Sequence, residues 1–282
     1  MKKRTLAILM TLFVVSAFTG CAKDQGTTDQ TPVQSVENKE ADDNNTDDTS
    51  LNYDKIIVGL DDTFAPMGFR DEKGELTGLD VDLATAVGEV IGIPFELQPI
   101  DWSMKETELL NGNIDLIWNG YTITPERQEK VLFSEPYLNN RQVVLVMADS
   151  DINTLADLSG KIIAVQAESS AVSAIEAKPE VSETFGERVE FKTNNECLMD
   201  LEAGRSDAVV ADEVLLRYYI SQKGADNYRV LDEDFGDEEY GIGARKEDSA
   251  LIKAVDAAID ELKENGKAAE ISNKYFAEDI IQ

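Results

Sequence analysis

From Asn52 onward, short β-branched apolar runs alternate with stretches whose apolar residues recur at helical spacing, and few architectures accept that alternation. Lys55 to Leu60 reads as a strand. Asp80 to Val90 reads as a helix, with Val81, Leu83, Ala84, Val87 and Val90 on one face and Asp80 placed to cap it. Phe95 to Ile100 (strand), Ser103 to Leu110 (helix) and Ile114 to Trp118 (strand) complete a β-α-β-α-β unit, which requires a parallel sheet with helices on its faces. A second unit has helices at Leu155 to Leu158, Ser170 to Ala177, Glu196 to Ala203 and Glu213 to Gln222. Its strands are Lys161 to Val165, Val189 to Lys192 and Ala208 to Ala211. Val143 to Met147 and Tyr240 to Ala244 are extended runs outside both rhythms, and helices at Ser249 to Glu264 and Lys267 to Phe276 close the chain, separated by Asn265-Gly266. The expected fold is α/β with two lobes joined by two extended crossings. Residues 51–142 and the return 241–282 form one lobe, residues 143–240 the other, and a central cleft lies outside the carboxyl ends of the strands.

What precedes residue 51 has a different grammar. Lys2, Lys3 and Arg4 lead into an uncharged stretch rich in Leu6, Ile8, Leu9, Leu12, Phe13, Val14 and Val15, too short to span a bilayer and built like a secretory signal peptide over residues 1–20. Phe18-Thr19-Gly20-Cys21 resembles a bacterial lipobox, which implies acylation of Cys21. The alternative is a free thiol beside an ordinary cleavage site, a liability in an oxidising compartment. Residues 21–50 read as a disordered tether: Ala22 to Ser50 has no Ile, Leu, Phe, Trp, Tyr or Met, and its charge is 2 − 8 = −6. Asp42-Asp43-Asn44-Asn45-Thr46-Asp47 lacks the glycine and distal Glu of an EF-hand loop, so it reads as linker.

The whole chain carries 56 acidic against 26 basic residues, a net charge of −30. Such a surface repels nucleic acid and anionic membranes, leaving a lipid as the only expected membrane attachment. Histidine is absent, which removes Ser-His-Asp and Cys-His catalysis and HExxH zinc sites, and Cys21 and Cys197 are too few for a thiolate zinc centre or a disulfide framework. Carboxylate catalysis, oxygen-ligated metal binding and binding without chemistry remain.

Four segments carry a family resemblance over nearly all of residues 53–280. They are Gly59-Leu60-Asp61-Asp62-Thr63-Phe64-Ala65-Pro66-Met67 with Gly74 to Asp82; Gly112-Asn113-Ile114-Asp115-Leu116; Gly120-Tyr121-Thr122-Ile123-Thr124-Pro125-Glu126-Arg127 with Phe133-Ser134-Glu135-Pro136-Tyr137; and Asp207-Ala208-Val209-Val210-Ala211-Asp212. In this order and behind a lipobox, the chain resembles the family 3 extracellular solute-binding proteins, which deliver polar amino acids to ABC importers. The resemblance implies a periplasmic-binding-protein-like fold, closure on an L-amino acid, no cofactor or metal, ABC permease subunits as partners, a monomer, and an extracytoplasmic, lipid-anchored location.

The resemblance also assigns roles. Gly120, Thr122 and Arg127, read as following a strand, would offer an amide, a hydroxyl and a guanidinium to the ligand α-carboxylate. From the residues alone Arg127 reads equally as a surface group pairing with Glu126 or Glu129. Asp212 would take the α-ammonium, or else cap the next helix. Ser169 and Ser170 open a helix and would complete the carboxylate site. Phe64 and Trp102 would stack on the ligand side chain, or pack as core. Asp61 would meet the distal end of the ligand, or stand as a solvated loop acid. Asn119 and Tyr121 would add polar contacts, and Glu168, where the family often has glycine, would point to the ligand side chain or to solvent. Asp61 and Glu168 lean the ligand toward a cationic or amide amino acid, with cystine and histidine open. The alternative from another class is a secreted dehydratase of cyclohexadienyl acids on the same scaffold, with Glu168 as its general acid.

Overall fold

The computed structural model describes residues 51–282, so the leader, Cys21 and the tether lie outside the described residues. The first part of the chain forms β1 (Ile56–Leu60), β2 (Thr63–Phe64), β3 (Gly68–Arg70), β4 (Leu76–Thr77), α1 (Leu79–Ile91), β5 (Phe95–Pro99), α2 (Lys105–Leu110), β6 (Leu116–Thr122), α3 (Pro125–Gln128) and β7 (Leu132–Phe133). Then come β8 (Leu138–Met147), β9 (Ile162–Gln166), α4 (Ser170–Glu176), α5 (Pro179–Ser182), β10 (Glu187–Phe191), α6 (Asn194–Glu202), β11 (Ala208–Asp212), α7 (Glu213–Lys223), β12 (Tyr228–Val230) and β13 (Gly236–Ala244). Helices α8 (Ser249–Glu264) and α9 (Lys267–Phe276) end the fold.

One sheet runs β10-β9-β11-β8-β13-β6-β1-β5, with β12 on β8 and β7 on β13. It contains two parallel triplets. In one, Ile56 stands opposite Phe95 and Val58 opposite Leu116; in the other, Ile163 stands opposite Arg188 and Ala208. Between them β8 and β13 run antiparallel, from Leu138 opposite Tyr240 to Gln142 opposite Gly236. Beyond that ladder β8 turns to β11 (Val143 opposite Ala211) and β13 to β6 (Gly241 opposite Tyr121). The fold is the expected two-lobed α/β arrangement.

Burial on both faces explains why the central strands read as unbroken apolar runs. Leu116 and Trp118 of β6 enter one core cluster while Ile117 and Tyr121 enter another; in β11, Val209 and Ala211 face one cluster and Ala208 and Val210 a different one. Two expectations need correction. Asn119 to Thr122 do not follow the strand but belong to β6, because β13 pairs with them. Asp80 does not cap α1. Gly78 occupies that position, and the Asp80 carboxylate is buried, accepting from the Gly120 N–H at 2.8 Å and the Tyr137 hydroxyl at 2.9 Å.

Candidate functional site

Parallel strands deliver their carboxyl ends to one side of a sheet, and here the ends of β1, β9 and β11 and the second half of β6 meet at a small cavity. Its lining is Asp61, Phe64, Trp102, Asn119, Gly120, Arg127, Gln166, Ser169, Ser170 and Asp212. Of the expected contacts, Tyr121 is not on that wall, its hydroxyl donating to Glu106 Oε1 at 3.0 Å, and neither is Thr122. Thr122 reaches the wall by donating its hydroxyl to Ser170 Oγ at 3.0 Å.

Arg127 sits in α3, whose start is set by Thr124, which accepts the Arg127 N–H at 3.2 Å, and by Pro125 in the first turn. Its side chain is buried rather than at the surface, with the guanidinium 4.6 Å from the Tyr121 ring centroid and 3.9 Å from Glu106 Oε1, so neither Glu126 nor Glu129 is its partner. Its NH1 donates to the Thr122 carbonyl at 2.8 Å. Gly120 holds φ +56°, and a Cβ there would lie 2.9 Å from Phe64 Cε1 and 3.1 Å from Tyr240 Cε2. A side chain is therefore excluded by conformation and by space. Because its N–H is given to Asp80, the amide does not converge with Arg127 as expected.

Asp212 precedes α7 but makes no side-chain cap to it. Its Oδ1 instead accepts from Tyr240 (2.5 Å), Asn140 (2.8 Å) and Gln142 (3.0 Å), all neutral donors. The same two amides donate to Glu238 Oε1 at 2.6 and 2.9 Å. Burial, and then the neighbouring Glu238 charge, push the Asp212 pKa well above the usual carboxylate range. Asp61 is held likewise by neutral donors, the Thr63 N–H and hydroxyl and Gln166 Nε2 at 2.8 Å, and burial raises its pKa too. The cavity wall thus carries two carboxylates that lack a cationic partner in these contacts, facing one guanidinium.

Phe64 and Trp102 line the cavity and also belong to core clusters, Trp102 meeting Tyr121 edge-on at 6.0 Å, so the core reading holds for both. Ser169 Oγ and Asn119 Nδ2 are buried without a hydrogen-bond partner among the described residues. Glu168 is exposed, off the cavity wall, with φ +56°, a conformation glycine adopts freely. That position does not suit a general acid aimed into the cavity.

Sequence reasoning missed Gln166, Asn140, Gln142, Glu238 and Lys105. Gln166 ends strand β9 as Asp212 ends β11, and the same positional rule would have found it. Lys105 carries no such signal. Its ammonium is buried 2.7 Å from the Glu168 carbonyl, and burial, then the Arg127 charge, lower its pKa to about 8.

The model of the bacterial extracellular solute-binding proteins, family 3, matches residues 56–278. A crystal structure of an ABC uptake transporter substrate-binding protein from Streptococcus pneumoniae with bound histidine is 43% identical, covering 81% of this chain and 95% of that one, with a TM-score of 0.79. The ABC transporter glutamine-binding protein GlnH of Bacillus subtilis is 32% identical over 80% of this chain and 82% of its own length. An L-arginine-binding protein of Pseudomonas aeruginosa is 32% identical over 80% and 89%.

Proposed function

Since the chain belongs to the bacterial extracellular solute-binding proteins, family 3, we propose that it is the binding component of an ABC importer, which closes on a polar L-amino acid and hands it to permease subunits. Arg127 and Asp212 support this reading, because they put a guanidinium and a carboxylate without a cationic partner on the wall of one buried cavity. A planar guanidinium pairs bidentately with a carboxylate, and a buried carboxylate held only by neutral donors is completed by an ammonium. A free α-amino acid presents both groups. Ser169 and Asn119 add hydrogen-bonding atoms that a zwitterion can use. No reaction is required of the site. Closure is proposed as a hinge at the β8–β13 ladder, with residues 51–142 and 241–282 on one side and 143–240 on the other.

Phe64, Trp102, Asp61 and Gln166 are assigned to the ligand side chain. Two lining carboxylates against one guanidinium favour a ligand with a second positive or donor group, in keeping with the histidine, glutamine and arginine named for the relatives. Titration calorimetry with L-histidine, L-arginine, L-lysine, L-glutamine and L-cystine tests this; no heat from any of them would refute the reading. In Asp61→Asn, affinity for arginine or lysine is expected to fall relative to glutamine. An unchanged arginine-to-glutamine ratio would remove Asp61 from selectivity and leave it as a tie to Gln166.

Acylation of Cys21 is proposed as the membrane attachment, with residues 21–50 as spacer and the folded body acting as a monomer. Cys21→Ser is expected to shift the protein from the membrane to the soluble fraction, or to leave the precursor unprocessed. Equal membrane partition of the mutant would exclude the anchor.

A further inference from the structure

Several contacts join the strand group of β1, β5 and β6 to that of β9, β10 and β11, and they differ in what they depend on. The hydroxyl contact of Thr122 with Ser170 and the amide contact of Gln166 with Asp61 use residues of the cavity wall, which any occupant would perturb. The Lys192–Asp101 ion pair, at 3.0 Å, joins side chains that are 64% and 36% exposed, so water and salt screen it. Lys105 is unlike these. It opens α2, is 1% exposed, and does not line the cavity, yet its Nζ donates across the cleft to the Glu168 carbonyl at 2.7 Å and within its own side to the Trp102 carbonyl at 3.2 Å. Glu106 Oε2 stands 3.5 Å away, and the Trp102 ring centroid 5.1 Å. A buried ammonium is costly unless hydrogen-bonded, and opening the cleft would exchange its shortest hydrogen bond for water.

The acceptor is distinctive as well. Glu168 lies in the turn from β9 to α4 at φ +56°, a conformation that a residue with a Cβ holds only when its surroundings impose it. Arg127 NH2 reaches the same carbonyl only at 3.5 Å. Ser169 and Ser170 follow directly and line the cavity with Arg127.

We propose that Lys105 is a positioning residue that clamps the Glu168–Ser170 turn against the Arg127 wall, so that a contact outside the ligand-lined cavity holds the cleft shut and slows escape of its occupant. The second half rests on the amino-acid-binding reading above; the first does not.

The test compares full-length wild type with Lys105→Met, which fills the space without a donor, and Lys105→Gln, which keeps an uncharged amide NH2 as donor. Small-angle scattering without added amino acid is expected to give a larger radius of gyration for Lys105→Met than for wild type, with Lys105→Gln between them. Stopped-flow measurements with L-arginine should show dissociation faster by roughly tenfold in Lys105→Met, the scale of one hydrogen bond to a charged group. Association should change by less than about threefold on the same scale. A merely structural role would lower thermal stability without splitting the two rates. Should Lys105→Met fail to fold, Lys105→Gln carries the comparison. Equal radii of gyration in the amino-acid-free proteins would overturn the clamp. A wild type that binds none of the five amino acids would sink the functional reading instead, while the scattering result still decides the clamp.

Discussion

Replacing either Arg127 or Asp212 by Ala is expected to weaken amino-acid binding by about 30-fold to several thousand-fold, from the roughly 2 to 5 kcal/mol lost when one member of a buried charge pair is removed. Both side chains are buried on the wall of one cavity, so the ligand charge left behind would face that wall without its partner and without bulk water. The two substitutions differ in their effect on the unliganded protein. Asp212→Ala removes a buried carboxylate that sits beside Glu238, relieving repulsion, whereas Arg127→Ala leaves the Thr122 carbonyl without its guanidinium donor. Asp212→Ala also strands the buried Tyr240 hydroxyl, so the relieved repulsion and the lost hydrogen bond oppose each other, and its melting temperature should move less than that of Arg127→Ala while binding is lost. Titration calorimetry with the amino acid that binds wild type, and a melting curve of each variant, check both halves. A loss under roughly threefold for either variant would take that residue out of the ligand site.

Between pH 7.5 and 5 the unliganded protein is expected to become more stable as the pH falls. Burial raises Asp80 to about 7, and Asp61 and Asp212 move in the same direction. A carboxylate with a raised folded pKa binds more protons folded than unfolded, so its contribution is complete below the unfolded value near 4 and is lost as pH rises through the folded one. For Asp80 this amounts to roughly 2 to 3 kcal/mol over that span. Carboxylates whose pKa is lowered, Glu213 through Arg141 among them, withdraw their contribution only below the usual carboxylate range, outside this window. Asp80→Asn should flatten the slope, measured as urea midpoint against pH. A flat or falling wild-type profile on acidification would contradict it. Amino-acid affinity should move oppositely, because an ammonium favours ionised Asp212: binding is expected to weaken on acidification and to release protons, readable from calorimetry in buffers of different ionisation enthalpy.

How much of the site was legible depended on whether a residue's role follows from its place on a strand. Asp61 and Asp212 stand at carboxyl ends of strands that announce themselves by apolar runs, and Gln166 would have been found by the same rule. The short strands β2, β3 and β4 escaped because two or three residues carry no periodicity. Asp80 was misread because an acid ahead of an apolar helical stretch has the local pattern of a cap, while its actual partners, Gly120 and Tyr137, are 40 and 57 residues away.

The alternation of apolar runs and amphipathic stretches determined the α/β class, the order of the longer elements and the presence of two crossings, since periodicity records which faces each element must bury. Which polar groups stand unpaired inside was decided by tertiary structure alone. Glu238 meets Asp212 because two antiparallel crossings set Asn140 and Gln142 between them, and Lys105 reaches the Glu168 carbonyl across 63 residues of sequence. Burial and charge pairing are sums over neighbours brought together by the fold, and no local window of the chain contains them.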